Sequence, residues 1–342
     1  MKKVLIIAEA GVNHNGDIRL AKKLIDAASE AKVDYVKFQS FKADNLVSPI
    51  AKKAEYQIKN LEDNDDSQYQ MLKKLELSHH DHLELISYCK SKNIKFFSTA
   101  FDVEGISYLS SLNFELFKVP SGELTNFPYL RAIAKTGLPV ILSTGMANLD
   151  EIVKSINVLI SHGTNKDQIT ILHCNTEYPT PMNDVNLKAM LTIKEKIGVS
   201  VGYSDHTLGI EVAIAAVAMG AEVIEKHFTL DKSFKGPDHK ASLEPNELKD
   251  MVKAIRNIEK AISGNGIKKS SLSEEKNKHI ARKSIHLLRN LKSGTVIKEK
   301  DIIPLRPGDG ICPMNWEKII GKKVNKDIQK FTKLNLNDLS QN

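Results

Sequence analysis

The sequence predicts an α/β protein built as a (β/α)8 TIM barrel that is followed by a small β-rich domain. Short apolar runs alternate with amphipathic segments, and this alternation repeats eight times before Ile262. After Ile262 the composition becomes polar and rich in turn residues, which marks the start of a second domain. Eight strand–helix units in a segment of this size match the usual length of such a barrel.

The predicted strands are short and nearly continuous in apolar residues, many of them β-branched, as parallel strands buried on both faces should be. They are expected at residues 4–9, 33–39, 94–99, 115–119, 139–143, 169–174, 199–203 and 222–226. A doubly wound open sheet is the alternative. It is disfavoured because no Gly-x-Gly-x-x-Gly motif follows the first strand.

The segments between the strands carry apolar residues at helical spacing, and several begin with residues that cap helices. Asp17, Ser78 and Asn126 are such start signals. The predicted helices are 17–31, 78–92, 103–112, 126–136, 149–162, 186–197, 209–219 and 244–262.

Two stretches depart from this regular alternation. Residues 42–77 form too long a connection for an ordinary loop, so we expect a helical or looped insertion over the barrel mouth, including the acidic run Asp63-Asn64-Asp65-Asp66. The domain boundaries that we predict are 1–265 for the barrel, 266–280 for a linker and 281–342 for the small domain. Within the small domain, short β-type runs are expected at 284–288, 295–297 and 302–303. A domain of that size is only marginally stable alone, so we expect it to dock on the barrel or on a partner subunit.

Composition excludes several classes of protein. The formal charge is +7, but the lysines are dispersed and aromatic residues make up only 6%, so we expect no nucleic-acid partner. Three scattered cysteines are too few for a disulfide framework and fit a cytoplasmic protein. No apolar run is long enough to span a membrane.

Every predicted strand ends in polar or charged residues, and in a closed barrel these C-terminal ends meet at one mouth. In chain order the main ones are Glu9, Lys37 with Gln39, Thr99, Lys118 with Ser121, Ser143, Asn175 with Thr176, Ser204 with His206, and Glu225 with His227. A buried unpaired charge costs several kcal/mol, so a purely structural barrel has no reason to accept so many. The set therefore predicts a functional site.

These residue types suggest specific chemistry. His206 and His227 end consecutive strands and could hold a divalent metal, although two unrelated polar residues at strand ends would give the same pattern. Glu9 and Glu225 are candidate acid/base groups. The cations and hydroxyls suited to holding a phosphate and a carboxylate are Lys37, Lys118, Ser121, Ser143 and Ser204.

Other histidines have a structural explanation. Ser78-His79-His80-Asp81-His82 imitates a metal cluster, but it is better explained as a solvated N-terminal turn of a helix. His173 is interpreted as a satisfied core residue.

Nine short motifs together resemble the bacterial sialic acid (N-acetylneuraminate) synthase family, with a C-terminal SAF (antifreeze-like) domain. They occupy residues 8–16, 36–40, 117–123, 143–146, 173–181, 202–207, 225–229, 236–242 and 306–311. The resemblance implies an enzyme that condenses phosphoenolpyruvate with an N-acetylated hexosamine by C–O cleavage, releasing phosphate.

The resemblance also implies roles for individual residues. It assigns Glu9 and Glu225 as catalytic carboxylates, and His206 with His227 as ligands of Mn2+, with Mg2+ or Co2+ as possible substitutes. The positions that match phosphoenolpyruvate contacts are Lys37, Lys118, Ser121, Ser143, Ser204 and either Asn175 or Thr176. Those that match sugar contacts are Gln39, Tyr178 and Asp238. The SAF domain would cross over in a domain-swapped homodimer and bring Arg306 to the partner's barrel mouth.

The acceptor sugar is the open question at this stage. N-acetylmannosamine, giving N-acetylneuraminate, is the expected acceptor, and 2,4-diacetamido-2,4,6-trideoxymannose, giving legionaminate, is the alternative. Two other mechanisms compete: a Schiff-base aldolase using Lys37 or Lys118, and a non-catalytic sugar-phosphate-binding barrel.

Overall fold

The computed structural model describes residues 3–61 and 65–340. Asp63 and Asn64 of the predicted acidic run lie outside the described residues. The chain divides into two compact units, Met1–Ser263 and Gly264–Asn342.

The first unit contains one sheet of eight parallel strands. They are β1 (Leu5–Gly11), β2 (Tyr35–Ser40), β3 (Lys95–Ala100), β4 (Phe117–Val119), β5 (Val140–Ser143), β6 (Ile169–Cys174), β7 (Ser200–Asp205) and β8 (Val223–His227). Their hydrogen-bonded order is β3-β2-β1-β8-β7-β6-β5-β4. Because β3 and β4 at the two ends of this order also contact each other, the sheet nearly closes, and the predicted barrel is confirmed.

The seam between β3 and β4 is bridged by a side chain rather than by a strand ladder. The hydroxyl of Tyr129, which is fully buried, donates to the backbone oxygen of Ala100 at 2.8 Å and lies 3.4 Å from that of Lys118. A buried phenol thus satisfies backbone acceptors at the point where the two strands separate.

The helices lie where the apolar spacing predicts them. Those that follow strands are α1 (Ile18–Ala31), α5 (His79–Ser91), α6 (Val103–Ser111), α7 (Phe127–Ala134), α8 (Leu149–Ser161), α9 (Lys188–Ile197), α10 (Glu211–Ala218) and α11 (Pro245–Ala261). The predicted insertion is helical, with α2 (Ala43–Leu46), α3 (Glu55–Leu61) and α4 (Gln68–Leu75). The main core lies between the strands and these helices.

The histidine-rich start of α5 is the N-terminal turn that the sequence predicts, with one difference. Ser78 and Asp81 form a reciprocal capping box, and His79 and His80 are exposed. His82 is buried instead, and its Nε2 lies 3.0 Å from the Ser40 hydroxyl. The turn is therefore solvated on one side only, because the helix packs His82 inward.

The second unit is small and has its own apolar core. It contains α12 (Leu272–Ala281), the antiparallel strands β9 (Ser284–Leu287) and β10 (Ile302–Leu305), and the short helix α13 (Trp316–Ile319). The expected β-type run at 295–297 is not a strand, and only Val296 forms an isolated bridge, with Lys323. The segment predicted as a linker contains α12, which begins with a capping box at Ser271.

No helix in residues 3–61 and 65–340 is long and apolar enough to cross a membrane.

Candidate active site

The floor of the candidate site is an apolar layer inside the barrel. Six strands contribute a side chain pointing into the barrel, and Gly202 of β7 stands at the corresponding place. A Cβ at Gly202 would lie 2.3 Å from the backbone oxygen of Val223 and 2.7 Å from Leu172 Cδ2, so the layer has no room for one. The side chains of this layer are Ile7, Tyr35, Phe97, Ile141, Leu172 and Val223, with Leu116 packed against them.

A polar layer lies directly above this floor, because side chains two residues apart on a strand point to the same side. The residues of the polar layer lie two positions after the floor residues along the chain. They are Glu9, Lys37, Thr99, Lys118, Ser143, Cys174, Ser204 and Glu225. All eight line one cavity of about 690 Å³. The strand-end pattern seen in the sequence is thus one continuous ring of groups.

Two buried lysines and two buried carboxylates form the centre of this ring. Lys37 Nζ lies 3.1 Å from Glu9 Oε2 and 3.3 Å from Glu225 Oε2, and it is 3.1 Å from the hydroxyl of Thr99. Lys118 Nζ donates to Ser143 Oγ at 2.7 Å and lies 3.6 Å from Glu225 Oε1.

The surroundings move the pKa values of these groups in different directions. Burial raises the pKa of Glu9 to about 7, although the charge of Lys37 opposes the change. Burial would also raise the pKa of Glu225, but Lys118 and Lys37 outweigh it and lower that pKa to about 2. Burial lowers the pKa of Lys118. For Lys37, burial is outweighed by the charges of Glu225 and Glu9, and its pKa is raised.

The two predicted metal ligands lie side by side at the mouth, with ring centroids of His206 and His227 5.3 Å apart. Burial lowers the pKa of His206 to about 4 and that of His227 well below its usual value, so both rings are neutral. The Nδ1 of His206 donates to the backbone oxygen of Asn175 at 2.5 Å. In a neutral ring this leaves Nε2 with its lone pair, the form that binds metals.

These residues fit a divalent cation with an incomplete protein shell. His227 Nδ1 is buried with no hydrogen-bond partner among the residues described, and Asp238 Oδ2 lies 3.7 Å from it. Within 3–61 and 65–340, no group of three or more His, Cys, Asp or Glu side chains is arranged to hold a metal. An ion on the two histidines would therefore need oxygen ligands from water or substrate.

A buried ion pair lies next to the two histidines, on the outer face of the barrel. Lys226 Nζ lies 2.9 Å from Asp205 Oδ2 and donates to the backbone oxygen of Thr207 at 2.5 Å, and the side chains of Lys226 and Asp205 are fully buried. Each residue of the pair directly precedes one of the histidines, so the pair ties the end of β7 to the end of β8. Sequence analysis did not single out this pair, because its side chains lie on the outer face of the barrel.

The residues predicted to contact the sugar gather around the histidines. The ring of Tyr178 stacks on His206 at 4.1 Å and meets His227 edge-on. Burial, together with the charge of Glu9, raises the pKa of Asp238 to about 7. Gln39 Nε2 donates to Glu9 Oε1 at 3.1 Å.

The structure separates Asn175 from Thr176, between which the sequence left the choice open. Thr176 lines the cavity, whereas Asn175 does not, and its Oδ1 accepts from the backbone N–H of Glu177 at 2.7 Å. Arg306 lies in the second unit, where its Nε donates to the backbone oxygen of Ala281 at 2.9 Å. The remaining predicted residues all line the cavity.

The structure adds a group of residues that the sequence analysis missed. One side of the cavity is apolar and comes from α4 and from the ends of β1 and β3. Its members are Val12, Met71, Leu72, Leu75 and Phe101, which we call the apolar wall. Tyr56 of α3 also lines the cavity. The length of the insertion was the only signal in the sequence, and it does not say which residues face inward.

Comparison with known proteins finds family matches for both parts of the chain. The model of the NeuB family matches residues 24–268, and the model of the SAF domain matches residues 282–336. A relative from Campylobacter jejuni named N,N'-diacetyllegionaminic acid synthase is 55% identical, over 96% of this chain and 98% of its own length. One of the same name from Legionella pneumophila is 49% identical, over 96% and 92%.

A solved structure has the same architecture. The N-acetylneuraminic acid synthetase of Leptospira borgpetersenii, crystallised with citrate, superposes with a TM-score of 0.70 at 36% identity, covering 81% of this chain and 90% of that one.

Proposed function

The chain belongs to the NeuB family, and on that basis we propose that it is an N,N'-diacetyllegionaminic acid synthase. It would condense phosphoenolpyruvate with 2,4-diacetamido-2,4,6-trideoxymannose. The observation that carries this proposal is the 55% identity, over nearly the whole length of both chains, to the Campylobacter jejuni enzyme of that name. N-acetylmannosamine, the acceptor first expected, has weaker support, because the N-acetylneuraminic acid synthetase reported above is only 36% identical.

Phosphoenolpyruvate would bind over the polar layer. Lys37 and Lys118 supply positive charge at the bottom of the cavity, and the hydroxyls of Ser143 and Ser204 are held beside them. Ser121 Oγ accepts from the backbone N–H of Gly145 at 2.9 Å and lies 3.3 Å from Cys174 Sγ, and these two contacts fix the position of the hydroxyl. Buried cations and fixed hydroxyl donors are suited to a phosphate and a carboxylate.

His206 and His227 would hold a divalent cation, for which we propose Mn2+, next to the acceptor sugar. When bound, the cation polarises a carbonyl oxygen as a Lewis acid. Tyr178 stacks on His206 and thereby restricts how that ring can turn. Asp238, beside His227, can accept hydrogen bonds from sugar hydroxyls or donate one itself, because its pKa is about 7.

The proposed reaction joins C3 of phosphoenolpyruvate to C1 of the open-chain sugar, where the C1–O double bond opens and its oxygen takes up a proton from solvent to become a hydroxyl. Water then adds to C2, and the C2–O bond to phosphate breaks, leaving a keto group. Glu9 is the residue that we propose takes the proton from this water, since a pKa of about 7 suits a general base at neutral pH. Glu225 stays ionised and holds the two lysines in place.

We also propose a domain-swapped homodimer in which Arg306 of the partner subunit reaches the acceptor's N-acyl group. The match of residues 282–336 to the SAF domain and the motif at 306–311 support this proposal.

The test is a comparison of the two acceptors with phosphoenolpyruvate, after EDTA treatment and with Mn2+ restored. We expect turnover to require the metal and kcat/KM to be higher for the 2,4-diacetamido sugar. In water labelled with 18O, the label should appear in the 2-keto product. Label in the released phosphate would contradict C–O cleavage, and a higher kcat/KM for N-acetylmannosamine would contradict the acceptor.

A further inference from the structure

The apolar wall faces the same cavity as the polar layer. Met71 and Leu75 of α4 are buried and belong to one small apolar cluster with Val12. Leu72 and Phe101 are only partly buried, pack on the same cluster and line the cavity. The wall therefore presents hydrocarbon, with no hydrogen-bonding group on these side chains, to whatever occupies this part of the cavity.

The insertion that carries the wall is fastened to the candidate active site. Asn60 Nδ2 donates to the backbone oxygen of Pro237 at 2.7 Å, next to Asp238. The ring of Tyr56 stacks on Tyr178 at 5.0 Å, and Tyr178 in turn stacks on His206. These contacts hold α3 in a fixed position relative to the groups that would bind the sugar, and Leu61 of α3 packs on the same apolar cluster as the wall. The wall is therefore part of the acceptor site.

A hydrocarbon surface discriminates between sugars through their hydroxyl groups. A hydroxyl buried against the wall without a partner loses its hydrogen bonds to water, whereas a methyl group at the same place gains from burial. A site of this kind favours the deoxygenated sugar by about tenfold to a hundredfold. The sugar that we propose as acceptor differs from N-acetylmannosamine in having a methyl group instead of a hydroxymethyl group at C6.

We propose that the apolar wall receives the methyl-bearing C6 end of the acceptor and makes this enzyme selective for 6-deoxy sugars. The inference rests on the proposed function, since it assumes that a sugar occupies this cavity. It adds the residues responsible for selectivity and separates the effect of C6 from that of the second acetamido group.

The test uses pairs of sugars that differ only by the oxygen at C6. N-acetylmannosamine is compared with its 6-deoxy analogue, and the 2,4-diacetamido-trideoxy sugar with its 6-hydroxy counterpart. For the wild type we expect kcat/KM to favour the 6-deoxy member about tenfold or more, on either scaffold. Leu72→Asn adds polar atoms to the wall at a partly buried position, and we expect it to bring the ratio close to one.

Two further variants control for stability. Leu46→Asn makes the same chemical change in the same apolar cluster but away from the cavity, so the ratio should stay at the wild-type value. Leu72→Met keeps the wall apolar and should also retain it. Thermal unfolding of each variant shows whether the fold is intact.

Equal kcat/KM values for both members of a pair in the wild type would overturn the proposal. So would a wild-type ratio in Leu72→Asn, or an equal loss of selectivity in Leu46→Asn. Failure of the proposed function would give a different result. In that case kcat/KM would be higher for N-acetylmannosamine than for the 2,4-diacetamido sugar. The comparison of each sugar with its partner that differs only at C6 would still decide the role of the wall.

Discussion

Glu9 and Glu225 are neighbouring carboxylates with the same burial but opposite pKa shifts. The pKa of Glu9 is about 7 and that of Glu225 about 2, because Glu225 has two lysines beside it and Glu9 has one. A pair of titratable groups whose surroundings separate their pKa values in this way is typical of an active site with distinct acid/base and electrostatic roles.

This difference predicts contrasting effects of two isosteric substitutions. Glu225→Gln removes the charge that compensates Lys37 and Lys118, and we expect it to lower the free energy of unfolding by about 3 kcal/mol. Glu9→Gln resembles the neutral form of Glu9 and should change stability by less than about 1 kcal/mol, while turnover is lost. Chemical denaturation and steady-state kinetics on both variants test this, and equal destabilisation by the two would contradict the assigned charges.

Single residues of the site were predictable to different degrees. Glu9, Lys37 and Glu225 could be found from the sequence, because continuous apolar runs identify their strands and the C-terminal end of a barrel strand lies at the mouth. Tyr56 and Leu72 could not be found, because they lie on an insertion whose path over the mouth depends on packing with distant residues. Asn175 and Thr176 stayed ambiguous, since a turn decides which side chain faces the cavity.

At the scale of elements, the alternation of side chains along each strand builds the site. The apolar floor and the polar ring above it are two layers of one barrel, and Gly202 keeps the floor closed where β7 passes close to β8. The pattern could be read from the sequence once strands were assigned. The seam between β3 and β4 could not, because no local signal shows which helix residue completes it.

The seam offers a test of how the barrel is closed. Tyr129→Phe keeps the ring in the core but removes the hydroxyl that donates to the backbone oxygen of Ala100. A buried carbonyl left without a donor should lower the free energy of unfolding by about 1–2 kcal/mol. Chemical denaturation measures the loss. Tyr108→Phe is the matched control, because the Tyr108 hydroxyl donates to the backbone oxygen of His79 in an exposed hydrogen bond. An unchanged Tyr129→Phe midpoint would mean that the bond contributes nothing to closure.

At the scale of the whole molecule, the two units differ in size and in how much the sequence reveals of them. The barrel was predictable in detail, whereas in the second unit a predicted β-run is irregular and a helix occupies the expected linker. Short segments in a small domain carry few periodic residues, so their conformation is decided mainly by contacts with distant parts of the chain.

The proposed swapped dimer predicts complementation between two inactive variants. Glu9→Gln inactivates the site in the barrel of its own subunit. Under the proposal, Arg306→Ala inactivates the site in the barrel of the other subunit. If Arg306 acts across the dimer, a mixed dimer contains one site with both residues intact. Mixing the variants under conditions of subunit exchange should therefore restore part of the wild-type activity.

Size-exclusion chromatography and the activity of each variant alone provide the controls for this mixing experiment. Restored activity requires two subunits that exchange. Its absence in a mixture shown to form mixed dimers would mean that Arg306 serves its own subunit or has no role in the site.

The sequence by itself determined the barrel, the strand ends that carry the polar ring and the membership of the family, because period-two and helical patterns and motif residues are local properties of the chain. Only the tertiary structure decided how Lys37 is shared between Glu9 and Glu225, how Tyr129 bridges the seam and which insertion residues form the apolar wall. These features join residues that are far apart in the sequence, and their pKa values and contacts exist only once burial has brought them together.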